Sequence, residues 1–318
     1  MKDFHTLPDK DLVSVAQLAP GDIKEIHDLA ARFKAEPRAG AGLLAGKRLA
    51  MVFEKESLRT RFTFDVGIQD LGGSAVFLDH RYARLGSRES VRDMAKNLER
   101  WVHGIVARTY KHRAVLELAE HASVPVINGL TDFLHPCQAL TDFFTLRERW
   151  GEVTGKKLVF VGDGNNTCHS LLYAGAKLGV HVTVCTPEGY EPNAKVVSDA
   201  MHSARETGAE IRILNDPLEA VPDADVVYTD VWASMGQEDE VEERAGTFAG
   251  FQVDEALMAL TSDALFLHCL PAHRGQEVSA GVMDGPRSIV FDNAENRLHV
   301  QKAILAMLMC REPAEVSA

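Results

Sequence analysis

A serine, a threonine and two arginines stand close together in Ser57-Leu58-Arg59-Thr60-Arg61, just after an apolar run that ends at Phe53. The serine is suited to cap a helix that begins at this point. The first backbone N–H groups of a helix lack partners and its amino end is partly positive, so arginines are unfavourable there unless an anion lies among them. Backbone amides and bidentate arginines together can surround a phosphate. The segment therefore predicts a phosphate site, and the alternative is a capped, solvated helix start.

Two further polar positions follow strand-like runs. Arg108 comes after Gly104-Ile105-Val106-Ala107, and His135-Pro136-Cys137-Gln138 comes after the next such run. Open α/β sheets bind ligands at the carboxyl ends of their strands, so these side chains are candidates for the same site. Taken alone, His135 is more simply a helix-entry residue before a proline. In combination with Arg108 and the phosphate segment, a functional role is favoured.

The elements that must position these residues are predicted strands and helices that alternate along the chain. Helical spacing begins after Pro20-Gly21, and one long helix is predicted over 136–150. Strands are predicted at 49–53, 75–78, 105–108, 124–128, 157–162, 180–185, 210–214, 226–229 and 265–268. Strands that alternate with helices indicate right-handed crossovers and parallel sheets. The predicted fold class is α/β, with two doubly wound parallel-sheet domains and an active-site cleft between them.

The chain has 318 residues, which suits two domains better than one core. The pattern restarts after Gly151, so the first domain is predicted over 1–150 and the second over 151–293. The C-terminal helix, 294–318, is expected to pack back on the first domain.

Composition excludes several classes of protein. The formal net charge of -12 disfavours nucleic acid, and no apolar run reaches the roughly 20 residues of a membrane span. The five cysteines form no C-x-x-C pair, which predicts reduced thiols and no zinc or other metal site. The start of the chain has no basic segment leading into an apolar one, so a cytoplasmic protein is expected. Gly162-Asp163-Gly164-Asn165-Asn166 lacks the third glycine of a dinucleotide fingerprint, because Thr167 stands there. We expect small-molecule substrates and no cofactor.

Several motifs, in order along nearly the whole chain, resemble those of the aspartate and ornithine carbamoyltransferase family. They are the phosphate segment, His135-Pro136-Cys137-Gln138, Phe160-Val161-Gly162-Asp163-Gly164-Asn165-Asn166, Asp230-Val231-Trp232-Ala233-Ser234-Met235-Gly236, His268-Cys269-Leu270-Pro271 and Glu295-Asn296-Arg297. The fourth and fifth are similar to the ornithine branch. The resemblance implies carbamoyl transfer from carbamoyl phosphate to the δ-amine of L-ornithine, which gives L-citrulline and phosphate in arginine metabolism, and leaves open whether the direction is biosynthetic or catabolic.

The resemblance also implies roles for individual residues. The implied carbamoyl-phosphate ligands are Ser57, Leu58, Arg59, Thr60, Arg108, His135, Gln138, Cys269, Leu270 and Arg297. The implied ornithine ligands are Asn166, Asp230, Ser234 and Met235, and the implied catalytic residues are Arg108, His135 and Cys269. Cys269 would orient the amine and assist its deprotonation. The alternative role for Cys269 is that of a buried structural thiol. For Cys137 this structural role is the favoured interpretation.

Some features depart from the family pattern or lie outside the motifs. Arg84 occupies a position where ornithine enzymes usually carry a glutamine that reaches a neighbouring subunit's site, so a cross-subunit contact is expected there. Asn293 stands where the family often has glutamate. Family resemblance further implies a homotrimer or an assembly of trimers. Carbamoyl transfer to putrescine or to N-acylornithine is the alternative activity, and a catalytically silent family member is the third hypothesis.

Overall fold

The computed structural model describes residues 4–79, 84–233, 239 and 241–310. These residues form two compact units, the first from 4–132 with 297–310 and the second from 133–296. The domain bounds taken from the sequence pattern, 1–150 and 151–293, stay a prediction. Among the described residues, no helix has both the length and the apolar character that a membrane crossing requires.

The first unit is built on a four-stranded parallel sheet in the order β2-β1-β3-β4. Its strands are β1 (Arg48–Phe53), β2 (Ser74–Asp79), β3 (Gly104–Arg108) and β4 (Val126–Leu130). Its helices are α1 (Pro20–Ala35), α2 (Leu58–Asp70), α3 (Val91–Trp101) and α4 (His112–His121). The central strands β1 and β3 are buried almost throughout, which explains their continuous apolar sequences.

The second unit is built on a five-stranded parallel sheet in the order β7-β6-β5-β8-β9. Its strands are β5 (Lys157–Val161), β6 (His181–Cys185), β7 (Ile211–Leu214), β8 (Val226–Thr229) and β9 (Leu265–His268). Its helices are α5 (Pro136–Trp150), α6 (Asn166–Leu178), α7 (Ala194–Thr207), α8 (Pro217–Ala220), α9 (Val241–Thr247), α10 (Glu255–Met258) and α11 (Ala280–Met283). Helix α12 (Val290–Met309) contributes residues to both units.

Both sheets reverse their direction of winding at one point. In the first sheet the reversal lies between β1 and β3, and in the second it lies between β5 and β8. Such a reversal leaves a crevice at the carboxyl ends of the two strands, where open α/β sheets bind ligands. The residues that follow β1, β3, β5 and β8 are therefore the ones that topology places at the two crevices.

The predicted α/β class and its two parallel sheets are confirmed. Eight of the nine predicted strands match the observed bounds to within one residue at each end. Strand β4 is the exception, since it was predicted at 124–128 and lies at Val126–Leu130. Pro125 has no backbone N–H, and the ladder with β3 begins at the next residue. The predicted cleft between the two domains stays a prediction.

His169 joins three parts of the second unit. Its Nδ1–H donates to the carbonyl oxygen of Phe133 at 2.9 Å, and its Nε2 accepts the backbone N–H of Asn193 at 3.0 Å. Because Nε2 is occupied as an acceptor, the neutral ring is the form that fits. Burial lowers the pKa of His169 below its ordinary value, and the bond to Phe133 only partly opposes this effect.

We expect His169 to make folding stability depend on pH. The unfolded ring takes up a proton below pH 6.5 whereas the folded ring resists it, so its contribution is complete above that pH and is lost as the pH falls towards the lowered folded pKa. His169→Gln keeps a donor and an acceptor but cannot titrate. Urea unfolding at several pH values should therefore show a shallower loss of stability for this variant. Substitution of the exposed His202 by glutamine is the control, and an unchanged slope for His169→Gln would contradict the prediction.

Candidate active site

Helix α2 begins with a capped amino end at the first crevice. The Oγ of Ser57 accepts the backbone N–H of Thr60 at 3.1 Å, as the sequence predicts for a capping serine. Leu58 is exposed and Arg59 is partly buried. The helix has no acidic residue in its first turn to offset the positive end of its dipole. The local arrangement is suited to an anion.

Two buried arginines converge on the hydroxyl of Thr60. Nη2 of Arg297 lies 3.1 Å from Thr60 Oγ1, and Nη1 of Arg108 lies 3.5 Å from the same atom. All three residues are at least nine-tenths buried. Two like charges held this close in a low-dielectric environment repel each other, and a bound anion would offset that repulsion. The structure thus brings together Thr60, Arg108 and Arg297, three of the predicted carbamoyl-phosphate ligands.

Arg84 lies in the first unit near the end of β3. Its side chain is exposed, and its guanidinium carbon is 4.7 Å from the centre of the Tyr110 ring. Tyr110 follows Arg108 by two residues. The structure therefore gives Arg84 a contact within its own chain, and the contact with a neighbouring subunit stays a prediction.

At the second crevice, Asp230 connects the ends of three strands of the second sheet. Its Oδ1 accepts the backbone N–H of Val231 at 2.9 Å and the Sγ–H of Cys269 at 3.1 Å. Its Oδ2 accepts Nδ2–H of Asn165 at 2.9 Å. Asp230 follows β8, Asn165 follows β5 and Cys269 follows β9. Two predicted site residues, Asp230 and Cys269, are thus in direct contact.

Asn165 is a site residue that the sequence analysis did not select. Besides its bond to Asp230, its Oδ1 caps α6 by accepting the backbone N–H groups of Thr167 and Cys168. An asparagine between a strand and a helix is a known N-cap signal, so its structural role could have been found. The contact with Asp230 could not, since 65 residues separate the two.

Asn166 is the first residue of α6, and its Oδ1 accepts the backbone N–H of Thr167 at 3.0 Å. It is buried, and it neighbours the Asn165 side chain that contacts Asp230. The predicted ornithine ligands Ser234 and Met235 lie outside the described residues.

His135 directly precedes α5 and Gln138 lies in its first turn, and each has a buried hydrogen-bond partner in the second unit. The backbone N–H of His135 donates to Ser170 Oγ at 2.8 Å. Nε2 of Gln138 donates to Asp142 Oδ1 at 2.8 Å, and the hydroxyl of Tyr228 donates to Asp142 Oδ2 at 3.3 Å. Burial raises the pKa of Tyr228 well above its ordinary value, and the Asp142 charge adds to the effect. The phenol therefore stays a donor, and the Gln138 amide has a fixed orientation.

The residues after β9 take an unusual backbone path. Leu270 has φ 62°, which is uncommon for a residue other than glycine. Its backbone N–H donates to Nδ1 of His268 at 2.8 Å. A non-glycine residue in this region persists only where its surroundings enforce it, and such residues concentrate at functional sites.

Asp230, His268 and Cys269 each offer an atom that a metal could bind, and these atoms lie within 4.8 Å of one another. The other interactions of His268 argue against that use. Its Nδ1 accepts the Leu270 N–H, and its Nε2 lies 3.3 Å from Oε1 of the buried Glu277. The geometry favours a hydrogen-bonded cluster over a metal centre.

Comparison with known proteins settles the family. Residues 10–148 match the model of the carbamoyl-P binding domain of aspartate/ornithine carbamoyltransferases, and residues 154–308 match that of their Asp/Orn binding domain. The chain belongs to the aspartate/ornithine carbamoyltransferase family.

Individual members of the carbamoyltransferase family are similar over nearly the full length. Ornithine carbamoyltransferase of Pyrococcus horikoshii is 52% identical over 307 residues, 96% of this chain and 97% of that protein. A Pyrococcus furiosus protein named as an anabolic ornithine carbamoyltransferase is 50% identical over 96% of this chain and 98% of its own length. The solved structure of ornithine carbamoyltransferase from Pyrococcus furiosus has a TM-score of 0.91 at 51% identity, and it covers 94% of this chain and 96% of that one.

We expect Thr60→Val to destabilise the first unit of this carbamoyltransferase and to weaken phosphate binding. The change keeps the side-chain volume but removes the oxygen that both buried guanidinium groups contact. Loss of a buried acceptor costs about 1–3 kcal/mol of unfolding free energy. Urea unfolding and calorimetric titration with inorganic phosphate would measure the two effects. Thr154→Val, at an exposed threonine of the second unit, is the matched control, and equal effects of both changes would argue against a special role for Thr60.

Proposed function

We propose that this chain transfers the carbamoyl group of carbamoyl phosphate to the δ-amine of L-ornithine, giving L-citrulline and phosphate. The observation that carries the proposal is the convergence of buried Arg108 and Arg297 on Thr60, beside the capped amino end of α2. The family models and the ornithine carbamoyltransferases to which the chain is similar support the same activity.

In the proposed mechanism, the phosphate is held by Ser57, Arg59, Thr60 and Arg108 and by the backbone at Leu58. Arg108, Thr60 and His135 polarise the carbonyl oxygen, where negative charge gathers in the tetrahedral intermediate. Fixed donors of this kind stabilise developing charge without reorganising during the reaction. Arg297 contributes a second guanidinium to the same ligand.

The carbamoyl amide nitrogen needs acceptors to orient it. We assign this role to Gln138 and to the backbone carbonyl of Leu270. Asp142 supports the assignment, because it accepts from Nε2 of Gln138 and so directs Oε1, the acceptor atom of that amide, to the opposite side of the group. The positive φ of Leu270 sets the direction of its carbonyl.

Ornithine is proposed to bind through Asp230 at its α-amine, with Asn166, Ser234 and Met235 completing the amino-acid site. The δ-ammonium must lose a proton before it can attack. Cys269 donates its thiol hydrogen to Asp230, which favours an orienting role over covalent attack by a thiolate. The neutral amine then forms the new C–N bond, the carbonyl C–O bond to phosphate breaks, and the departing phosphate accepts the remaining proton.

The amine substrate is tested by measuring carbamoyl transfer from carbamoyl phosphate to ornithine, putrescine and N-acetylornithine. We expect citrulline formation with ornithine and rates lower by at least tenfold with the other two, since putrescine lacks the charged groups of the α-carbon and acylation removes the charge that Asp230 would bind. A preference for another amine would overturn the substrate assignment, and absence of turnover with all three amines would favour a catalytically silent member.

Arg59→Ala should abolish carbamoyl transfer without unfolding the protein.

The physiological direction and setting are also part of the proposal. We propose citrulline synthesis for arginine biosynthesis in the cytoplasm, by analogy with the relative named as anabolic. The thiols of Cys137, Cys168, Cys185, Cys269 and Cys310 fit a reducing compartment.

Self-association into trimers is supported by an apolar surface on the first unit. Helix α2 exposes Leu58, Phe62 and Val66 at helical spacing. We call these three residues the apolar stripe. Exposed apolar side chains that cluster in this way are typical of protein interfaces.

We expect Phe62→Asp to lower the mass in solution from that of a trimer to that of a single chain. A charge at this position, where phenylalanine is 60% exposed, leaves the isolated unit unstrained but opposes burial in an interface. Light scattering coupled to size-exclusion chromatography would measure the mass. Leu218→Asp on α8, an equally exposed position in the second unit, should keep the wild-type mass. A wild-type protein of single-chain mass would refute the assembly.

A further inference from the structure

The backbone that leads into α5 is not capped by its own side chain. His135 is the N-cap residue of α5, and its side chain makes no capping hydrogen bond. Pro136, the first residue of the helix, has no backbone N–H, so the start of α5 has one donor fewer with which to fix its position. The backbone N–H of His135 therefore has to be held from another element.

Helix α6 holds this backbone through two consecutive residues. The Oγ of Ser170 accepts the backbone N–H of His135 at 2.8 Å, and Nδ1–H of His169 donates to the carbonyl oxygen of Phe133 at 2.9 Å. The imidazole of His169 also packs against the Phe133 ring, with the ring centres 4.9 Å apart. The two bonded backbone groups lie on either side of Leu134, which is buried. The short segment before α5 is thus fixed at both of its ends.

The hydroxyl of Ser170 is buried and has a defined direction. It donates to the carbonyl oxygen of Asn166 at 3.1 Å, so its single hydrogen is used within α6 and a lone pair is left for the N–H of His135. Ser170 is only 1% exposed, which leaves no room for solvent to take over its role as acceptor. Removal of this oxygen would leave a buried N–H without an acceptor, which is costly.

The turn of α6 that holds His135 also carries predicted ornithine-binding groups. Asn165 caps the helix, and its Nδ2–H donates to Asp230 at 2.9 Å. Asn166 begins the helix, and its carbonyl oxygen is the one that accepts the Ser170 hydroxyl. Within the second unit, one helical turn therefore connects the predicted ornithine site with the backbone of His135.

We propose that Ser170 is a positioning residue that fixes the backbone at His135 and thereby directs the His135 imidazole at the carbonyl oxygen of carbamoyl phosphate. This inference rests on the proposed function, because it takes His135 as a group that polarises that oxygen. Ser170 acts through His135. Its contribution belongs to the transition state, where negative charge gathers on the oxygen, more than to substrate binding.

The hydroxyl can be removed with little change of volume. Ser170→Ala deletes the acceptor, and Ser170→Cys is a second variant of similar size that keeps a weak one. The matched control is Ser279→Ala, because Ser279 also accepts a backbone N–H, that of Val282 at 3.2 Å. Both serines lie in the second unit, but the partner of Ser279 belongs to α11.

The experiment is a double-mutant cycle of Ser170→Ala with His135→Ala, a change that removes the imidazole but keeps the backbone N–H. Citrulline formation gives kcat and KM for both substrates. We expect Ser170→Ala to lower kcat about tenfold and Ser170→Cys to lower it about threefold, with each KM within about twofold, since a misdirected donor weakens the transition state most. In the His135→Ala background Ser170→Ala should lower kcat by less than about twofold, and Ser279→Ala should keep wild-type values.

Nuclear magnetic resonance of isotope-labelled histidine rings gives a second measurement that does not require turnover. The His135 signal, assigned by its absence from His135→Ala, should shift in Ser170→Ala and keep its position in Ser279→Ala. An equal loss of kcat in both His135 backgrounds would overturn the proposal. So would a loss confined to KM, a wild-type kcat or an unmoved His135 signal in Ser170→Ala.

Thermal melts followed by circular dichroism check folding. If Ser170→Ala does not fold, the same criteria apply to Ser170→Cys, and unfolding of both variants would assign Ser170 to stability alone and refute its positioning role. If the wild-type protein made no citrulline, the proposed function would fail, while the resonance shift would still decide whether Ser170 positions His135.

Discussion

The concentration of positive charge at the end of the first sheet is the constraint on which the first unit depends. Arg108 and Arg297 are both buried and both contact the Thr60 hydroxyl, so two positive charges lie close together where the dielectric constant is low. Folding holds them there because β1 and β3 are the buried centre of a parallel sheet and because α12 carries Arg297 into the same unit. An anion bound between them would reduce their mutual repulsion.

The second unit carries a negative charge at its crevice, in contrast to the positive charge of the first unit. Asp230 lies at the crevice between β5 and β8, and Asn165, Val231 and Cys269 donate to it. These neutral donors stabilise the carboxylate without cancelling its charge, so it remains available to a cation. One sheet therefore presents a site suited to an anion, and the other presents a site suited to an amine, each at its own point of reversal.

Much of the fold could be predicted from the sequence because its strands are short apolar runs bounded by polar residues. Ser57 could be identified as a helix cap, and Arg108 could be placed at a strand end, since both are local properties. The contact of Arg297 with Thr60 joins residues 237 positions apart, and only family resemblance indicated that the two residues belong to one site. Asn165 was missed for the same reason, because its importance comes from a partner that the folded chain supplies.

The apolar stripe and the phosphate segment share the first turn of α2, where Leu58 belongs to both and Arg59 is the next residue. In the proposed trimer, one short stretch of backbone would be ordered by a neighbouring chain on one side and by an anion on the other. Coupling between two binding events is reciprocal, so the anion would strengthen assembly by the same factor by which assembly strengthens anion binding. The affinity of the chain for its phosphate ligand would then rise with its own concentration.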